Sequence, residues 1–217
     1  MPDTIHLSPR TIWKQHEVEC CTSCALATCL EAVHRDYDVL SPIFHYNRSG
    51  ARYDRGLNPE TALAVARSNG FCLQKLHPED LTRAGLRSRP SSRAINDGLD
   101  RRLRHVNKRL YKRLHTRNRA NEMLSALGRG HPIFLAIWPD SGYWQLDDPG
   151  VYEWQPTRAT RRGLLHTVAV LGYQAEDRRF VAQDSRGDQF GSGGQWYLAA
   201  HNCDARSIHE GWEILDK

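Results

Sequence analysis

The segment "QHEVECCTSCALATCLE" (residues 15–31) decides the fold, because it places four of the chain's six cysteines within ten residues. Residues 21–34 contain neither Gly nor Pro, and their apolar side chains would lie on nearly every side of a helix. A helix that is apolar all round is normally buried in a protein core. The sequence therefore predicts a buried helix that begins at Cys21.

The size and composition are those of an ordinary globular protein. The chain has 217 residues, with 40% hydrophobic and 25% charged side chains, which is enough for one domain or two packed lobes with a real core. It has no run of about 18 apolar residues that would span a membrane. The first 15 residues lack the basic and then apolar order of a signal peptide. We therefore expect a cytoplasmic protein with reduced cysteines.

The cysteine cluster, taken alone, also admits a metal site or a redox pair. A zinc site needs a second pair of ligands at suitable spacing, and only "HNC" at 201–203 with His209 offers one, which is a weak match. A thioredoxin-like pair at Cys21 and Cys24 requires a preceding strand and a βαβ unit, and the sequence predicts neither. We therefore predict no metal and no cofactor, and we expect Cys24 and Cys29 to be buried and inert.

The two halves of the chain carry different secondary-structure signals. Beyond the cysteine helix, the first half predicts further helices, among them 58–70 and about 118–127. The second half predicts strands at 132–138, 150–155, 166–173, 179–185, 194–200 and 211–215. Helices first and strands second predict an α+β fold, a single domain over 1–217 with a helical lobe about 15–128 and a β lobe about 129–217. A functional site would lie between the lobes.

A basic segment interrupts the helical half. Residues 83–119 hold 13 Lys or Arg against 2 Asp or Glu, a charge of +11 that leaves −6 for the rest of the chain. Apolar residues recur in it at spacings of three or four and predict a long basic helix over about 91–116. They are Leu99, Leu103, Val106, Leu110 and Leu114. Such a face is commonly solvated, and it is also a candidate surface for an acidic protein partner. Nucleic acid is disfavoured because Tyr111 is the only aromatic residue there that can stack on bases.

A histidine and an acid are predicted to meet in the β half. The strand "HTVAVLGY" opens with His166, and the next strand ends in "VAQDS" with Asp184. In an antiparallel pair the start of one strand lies beside the end of the other. The buried helix can direct its N-terminus, with Cys21, towards this pair. A helix N-terminus and an imidazolium both lower a cysteine pKa, and a carboxylate holds the ring in the useful tautomer.

The same chemistry needs donors for the oxygen of the attacked carbonyl. Negative charge develops on that oxygen during acyl transfer, and fixed hydrogen-bond donors stabilise it. The side-chain amide of Gln15 and the backbone N–H of Cys21 are the candidates, since both lie at the start of the helix. Together these residues predict nucleophilic catalysis by a cysteine.

At these residues the sequence resembles the papain-like (C1-type) cysteine peptidases, most closely the compact bacterial members that lack a propeptide. The gap of 145 residues from Cys21 to His166 lies within the about 130–150 typical of papain-type sites. Four stretches carry the resemblance and together cover most of the chain. They are residues 15–31, "LSPIFHYNRSGARYDRGLNPETALAVARSNGFC" (40–72), "NEMLSALGRGHPIFLAI" (121–137), and "HTVAVLGY" (166–173) with "QDSRGDQFGSGGQWYL" (183–198).

The resemblance also bears on which cysteine is the nucleophile. "CTSCA" matches the papain signature C-G-S-C-W superficially, which would select Cys24. Cys21 lies six residues after Gln15, as the nucleophile does in the family, and Glu31 then falls into register as well. Cys21 also occupies the helix start, where the dipole acts, with Cys20 as the residue just before the helix. We therefore predict Cys21.

Two positions depart from the family. Its usual Asn is Asp184 here, and a carboxylate can still orient the imidazole and favour its charged form. The Trp that in the family shields the Asn–His contact from water is replaced by Arg186. Trp196, Trp144 or the aliphatic stem of Arg186 are the candidate substitutes for that shield.

The resemblance implies a papain-like two-lobed fold, with a helical left lobe built on the central buried helix and an antiparallel sheet or barrel as the right lobe. It implies hydrolysis of peptide bonds in a peptide or protein substrate through a thioester. Cys21, His166, Asp184 and Gln15 would carry this reaction. Two alternatives remain open. One is another acyl transfer on the same scaffold, such as transglutamination, deamidation or isopeptide cleavage. The other is a binding module that docks an acidic partner through the basic helix.

Overall fold

The fold combines helices and one large sheet. The computed structural model describes residues 4–15, 17–34, 36–52, 54–77, 81–102, 110–157, 165–203 and 207–215. Within these ranges there are seven α-helices: α1 (Cys21–Val33), α2 (Pro42–Arg48), α3 (Pro59–Ser68), α4 (Arg83–Arg87), α5 (Ser92–Asp100), α6 (Arg119–Gly128) and α7 (Ser141–Trp144). The same ranges hold eight strands: β1 (Thr4–His6), β2 (Tyr111–Arg113), β3 (Ile133–Ile137), β4 (Glu153–Trp154), β5 (His166–Gln174), β6 (Arg179–Gln183), β7 (Gln195–Ala199) and β8 (Ile208–Ile214).

Helix α1 is the buried helix that its composition predicts. Every residue from Cys21 to Ala32 is buried, because helices α2 and α3 cover one side and the sheet covers another. The two covering helices begin where the sequence provides caps. The Ser41 hydroxyl accepts the N–H of Phe44 at the start of α2, and the Asn58 side chain accepts the N–H of Glu60 at the start of α3. Each cap stands just before a proline.

The eight strands form one sheet in the order β2-β8-β3-β5-β6-β7-β4, and β1 also pairs with β5. All neighbouring pairs are antiparallel except β4 and β7. Strands β5 and β6 follow each other along the chain and pair directly, so the start of β5 lies near the end of β6. This pairing brings the predicted histidine and acid to the same end of the sheet.

The sheet separates two hydrophobic cores, and its central strands supply both. On β5, Ala169 and Leu171 pack with the core around α1, whereas Val168 and Val170 pack with the core on the opposite face. Side chains alternate across a strand, so a strand covered on both faces reads as a continuous apolar run. This is why the segment "TVAVLGY" has no polar alternation.

The α+β fold class expected from the sequence is confirmed. Five strands of the second half lie where the sequence predicts them, to within a few residues, while β8 begins three residues before the predicted 211–215. Strands β1 and β2 were not predicted. Both are three residues long and depend on pairing with longer strands, so local sequence carries little signal for them.

The basic segment does not form the long helix expected over 91–116. Helix α5 ends at Asp100, residues 103–109 lie outside the described part of the chain, and Tyr111–Arg113 form strand β2 against β8. The prediction is therefore wrong at 111–113. Backbone bonds continue on both sides of β2: Leu114 donates to Gly211, and Leu215 donates to Leu110. Pairing with the edge of β8 overrides the helical spacing of the leucines.

No helix in the described ranges is long and apolar enough to cross a membrane.

Candidate functional site

Cys21 is the first residue of α1, and only 3% of its surface is exposed. Cys20 is the N-cap residue and caps with no side-chain hydrogen bond. The N–H groups of a first helical turn have no acceptor within their own helix and point outward with partial positive charge. The thiol of Cys21 and its own N–H therefore lie at an electropositive helix end.

His166 and Asp184 meet as the hairpin argument predicts. His166 is the first residue of β5, and Asp184 follows the last residue of β6. The imidazole Nε2 lies 3.0 Å from Asp184 Oδ1. This contact uses Nε2. The other ring nitrogen, Nδ1, is therefore the one available for the hydrogen bond between His166 and the Cys21 thiol.

The three side chains hold one another in charged form. Burial raises the pKa of Cys21, but the charge and hydrogen bond of His166 and the N–H of Thr167 outweigh this effect and lower that pKa below the ordinary range of a thiol. Burial lowers the pKa of His166, but the charges of Asp184 and Cys21 raise it well above its usual range. At neutral pH this arrangement favours a thiolate beside an imidazolium.

Asp184 is held by more donors than the histidine alone. Tyr143 Oη donates to Asp184 Oδ2 at 2.8 Å, and Trp196 Nε1 donates to the same oxygen at 3.1 Å. The backbone N–H of Ser185 donates to Oδ1 at 2.8 Å. Burial would raise the pKa of Asp184, and the His166 charge together with these hydrogen bonds lowers it. The site is therefore built around a carboxylate.

Tyr143 is the residue of this site that the sequence did not reveal. Burial and the nearby Asp184 raise its pKa well above 10, so the hydroxyl keeps its proton and donates. Its ring lies 5.5 Å from the His166 ring and packs against Phe190 and Trp196. Tyr143 directly precedes Trp144, one of the predicted shielding residues. The sequence pattern does not indicate which of these two aromatic side chains contacts Asp184.

Tyr143→Phe is expected to lower the free energy of unfolding by about 2 kcal/mol, because a buried carboxylate loses a hydrogen bond. Urea denaturation followed by tryptophan fluorescence measures the change. The control is Tyr152→Phe, since Tyr152 is 42% exposed and its hydroxyl should matter little. A loss for Tyr143→Phe no larger than the control's would contradict the role given to its hydroxyl.

The shield over the His166–Asp184 contact is shared among several residues. Tyr143 and Trp196 lie directly against Asp184. Arg186 extends the cover outward: its guanidinium lies 4.8 Å from the ring centre of Trp144 and 4.7 Å from that of Phe190. All three predicted substitutes, Trp196, Trp144 and the Arg186 side chain, thus lie beside the site, with Trp196 in direct contact with Asp184.

A short helix carries Tyr143, and Asp140 fixes that helix. Asp140 is the N-cap of α7 and accepts the N–H of Tyr143 at 3.1 Å. It also accepts from Trp154 Nε1 at 2.7 Å and from the hydroxyl of Thr157 at 2.9 Å. A buried carboxylate with this many donors is rigidly held. Asp140 therefore fixes the backbone of Tyr143, from which the side chain extends to Asp184.

Gln15 reaches the site through Ser185. The Gln15 N–H donates to the Ser185 carbonyl at 2.8 Å, and the Ser185 hydroxyl donates to Gln15 Oε1, also at 2.8 Å. Because Oε1 is occupied as an acceptor, the amide nitrogen of Gln15 is the end left to donate to another group. Ser185 follows Asp184 directly, so one short segment positions both the acid and the glutamine.

The remaining cysteines lie inside the protein. All six cysteines are buried thiols that form no disulfide. Burial raises the pKa of Cys29 far above its usual range, as expected for an inert thiol. Cys24 lies on α1 with its sulfur 3.8 Å from that of Cys20. Within the described part of the chain, no group of three or more His, Cys, Asp or Glu side chains could hold a metal ion.

Solved structures with the same architecture come from a bacterium, a plant and an insect. Xylellain, a cysteine protease from Xylella fastidiosa, superimposes with a TM-score of 0.79 at 19% identity, over 100% of this chain and 87% of that chain. The chain has a papain-like fold. Bromelain from Ananas comosus, solved in complex with the E64 inhibitor, gives 0.73 at 16% identity over 100% of both chains.

The insect protein is the digestive procathepsin L 3 of Tenebrio molitor larval midgut, with a TM-score of 0.71 at 15% identity over 98% of this chain and 70% of that chain. No protein-family model matches the sequence, and no curated protein matches it either. The likeness is therefore one of papain-like backbone architecture, and the chemistry has to be argued from the residues of this chain.

Proposed function

We propose that the protein is a cysteine peptidase that hydrolyses peptide bonds through a thioester, with Cys21 as nucleophile and His166 and Asp184 completing a triad. The observation that carries the proposal is the contact between a helix-terminal cysteine, a histidine and a buried carboxylate. Their charges lower the pKa of Cys21 and raise that of His166. A poised thiolate has no structural use in a core, where cysteines are ordinarily neutral.

The reaction follows from the two protonation states. The Cys21 thiolate attacks the carbonyl carbon, forming an S–C bond, and the C–N bond breaks as the His166 imidazolium gives its proton to the departing amine. This leaves a thioester and neutral His166. His166 then takes a proton from water, the resulting hydroxide adds to the thioester carbonyl, and the S–C bond breaks. The acid product leaves, and the thiolate and imidazolium are restored.

Gln15 and the N–H of Cys21 are the proposed donors to the carbonyl oxygen. The Ser185 hydroxyl occupies Gln15 Oε1, which orients the amide so that its nitrogen can donate. The Cys21 N–H belongs to the first turn of α1 and has no acceptor within the helix. Acting together on the carbonyl oxygen, these two donors would supply the stabilisation that acyl transfer needs.

The alternatives share the first half of this reaction. A transglutaminase, deamidase or isopeptidase would also form a thioester at Cys21 and would differ in the acyl donor or in the group that attacks the thioester. We retain a peptide or protein as the proposed substrate and the cytoplasm as the proposed location.

The proposed acidic partner would meet only part of segment 83–119. Arg119 is buried and donates to the backbone carbonyls of Cys203 and Ile208. Arg101 pairs with Asp97 and Arg113 pairs with Glu210. Arg83 and Arg87 of α4 are exposed, and so are Arg89 and Arg93 after this helix. A charged surface of this kind identifies the sign of a partner and not its class.

Limiting iodoacetamide at about pH 6 tests the nucleophile, because an ordinary thiol is less than about 1% ionised there. We expect Cys21 to react at least about 30-fold faster than a small free thiol, once its lower intrinsic nucleophilicity is allowed for. Peptide mapping by mass spectrometry locates the label, and E64 serves as a second reagent. Cys24→Ser is the matched control and should label as fast as the wild type. Fast labelling at Cys24, or slow labelling of all six cysteines, would contradict the proposal.

A further inference from the structure

A hydrogen-bonded pair of threonines stands beside the proposed nucleophile and its histidine. Thr22 follows Cys21 on α1, and Thr167 follows His166 on β5. Their hydroxyl oxygens lie 3.3 Å apart, and Thr22 is 2% and Thr167 1% exposed. The proposed reaction uses neither hydroxyl, although each lies one residue from a group that the reaction does use.

The proton of each hydroxyl can be assigned from its partners. Thr22 Oγ1 donates to the carbonyl of Leu57 at 2.8 Å, and a carbonyl can only accept. A hydroxyl has a single proton, so Thr22 Oγ1 is the acceptor in its contact with Thr167, and Thr167 is the donor. The sulfur of Cys21 lies 3.9 Å from Thr22 Oγ1 and competes weakly for that proton. A chain of hydrogen bonds thus runs from β5 through α1 to the loop that precedes α3.

This chain of hydrogen bonds joins the helices to the sheet. Thr22 belongs to the buried helix, whereas Thr167 belongs to a central strand of the sheet. Cys21 and His166 stand on the same two elements, one residue before each threonine. Adjacent Cα atoms are held about 3.8 Å apart. A shift of Thr167 relative to Thr22 would therefore also move the imidazole relative to the thiol.

The start of β5 is held less completely by the sheet than the rest of the strand. Strand β3 pairs with β5 from His166 onwards, but β6 pairs with it only from Ala169 and β1 only from Gly172. Within the described ranges, His166 and Thr167 therefore have a paired strand on one side only. The hydrogen bond from Thr167 to α1 gives this end of the strand an attachment outside the sheet.

Both residues at this end of β5 act on the thiol. Burial raises the pKa of Cys21, and the charge and hydrogen bond of His166 and the backbone N–H of Thr167 lower it. Hydrogen bonds weaken steeply as their geometry departs from the preferred distance and angle. The state of the thiol therefore depends on how accurately the start of β5 is held against the start of α1.

Hydroxyl groups can hold this alignment more accurately than apolar side chains can. Apolar contact is non-directional, so two packed apolar surfaces can slide past each other. A hydrogen bond prefers one distance and direction, and a buried hydroxyl without a partner costs stability. The branched side chain of threonine also restricts the rotation that places its hydroxyl. The pair of Thr22 and Thr167 therefore favours a single alignment of α1 and β5.

We propose that Thr22 and Thr167 are positioning residues, whose hydrogen bond fixes the imidazole of His166 against the sulfur of Cys21. The proposal rests on the proposed function, since it gives this threonine pair a role in the proposed acyl transfer. Misplacement of a reacting group by about 1 Å can lower a rate by about 10²-fold. A bond that prevents such a shift acts on the chemical step and leaves substrate binding almost unchanged.

Thr167→Val tests the pair, because it removes one hydroxyl and keeps the branched shape. Thr22 retains its bond to Leu57, so no buried donor loses its acceptor. On a peptide amide we expect kcat to fall about tenfold, with KM within about twofold of the wild type. Iodoacetamide labelling of Cys21 at about pH 6 should slow by about fivefold, and its rate profile should shift to higher pH. Thr167→Ser retains the hydroxyl and should keep kcat within about twofold of the wild type.

Thr28→Val is the matched control. Thr28 is a buried threonine of α1, six residues beyond Thr22 and equally exposed at 2%. Its replacement should leave kcat and the labelling profile of Cys21 unchanged. A double-mutant cycle tests the pairing itself: once Thr22→Val is in place, Thr167→Val should have little further effect. Should Thr22→Val fail to fold, the comparison of Thr167→Val with Thr167→Ser decides without it.

Iodoacetamide labelling distinguishes a failure of the threonine pair from a failure of the proposed function. Fast labelling of wild-type Cys21 that Thr167→Val leaves unchanged would overturn the role of the pair alone. Equal losses of kcat in Thr167→Val and Thr167→Ser, or a loss confined to KM, would do the same. A wild type that labels fast and hydrolyses no peptide amide would overturn peptide hydrolysis, and the labelling rates would still decide the role of the pair. Slow labelling of wild-type Cys21 would overturn both.

Discussion

Asp184→Asn is expected to lower kcat/KM on a peptide amide by about 10³-fold, because an asparagine cannot accept hydrogen bonds from all of the donors that surround this position. Asn is the residue that papain-like peptidases usually have here, so the substitution restores the family's residue and should nevertheless inactivate the protein. We also expect it to reduce the free energy of unfolding by about 3 kcal/mol, since buried donors lose their acceptor.

The physical reason is a count of donors against acceptors. The imidazole Nε2 of His166, the Tyr143 hydroxyl, the Trp196 Nε1–H and the Ser185 N–H all converge on this side chain. A carboxylate accepts at both oxygens, whereas an amide accepts at one oxygen and donates from its nitrogen. With Oδ1 towards His166, the amide nitrogen would face Trp196, which can only donate. Turning the amide over would place that nitrogen against His166 instead.

A double-mutant cycle with Trp196→Phe checks this account. Removing the indole N–H removes the donor that cannot adapt, while the Tyr143 hydroxyl can rotate to accept from the amide. Asp184→Asn should therefore cost less stability and less kcat/KM in the Trp196→Phe background than in the wild type. Equal costs in the two backgrounds would contradict the donor count, and so would an Asp184→Asn protein with kcat/KM within about threefold of wild type.

Much of this arrangement could be predicted because it follows from local sequence. The all-round apolar composition of 21–34 predicts a buried helix, and α1 is that helix. The pairing of two consecutive strands predicts that His166 and Asp184 meet, since hairpin geometry depends only on neighbours along the chain. Tertiary structure contributes little to either inference, and the pattern of residues is enough.

The rest depends on contacts between segments far apart in sequence. Tyr143 reaches Asp184 from a four-residue helix whose position Asp140 sets through Trp154 and Thr157, and no local period encodes such a chain of contacts. Strand β2 likewise forms because the edge of β8 offers it backbone partners, against the helical spacing of its own leucines. A short element gains most of its stability from such pairing, so its own residues specify it weakly.

His166→Ala is expected to lower kcat/KM on a peptide amide by about 10⁴-fold, because in the proposed reaction one side chain supplies both the proton transfers and the charge that sustains the thiolate. Burial raises the pKa of Cys21, and the charge of His166 is the largest influence that lowers it. In the variant, burial is opposed only by hydrogen bonds such as that from the Thr167 N–H. The pKa of Cys21 should therefore move from below the ordinary range of a thiol to above it.

The rate at which Cys21 reacts should shift to higher pH in the variant. A thiol with a lowered pKa is ionised, and reacts with iodoacetamide, at pH values where an ordinary thiol is protonated; a raised pKa shifts the whole rate profile to higher pH. Rates measured from about pH 5 to 10 should show this shift for His166→Ala. His131→Ala is the matched control, since His131 also pairs with a buried carboxylate, Glu213, at 2.8 Å, yet it should leave the profile of Cys21 unchanged. Fast labelling of Cys21 at about pH 6 in His166→Ala would mean that the helix terminus alone sustains the thiolate, and that His166 has no part in activating it.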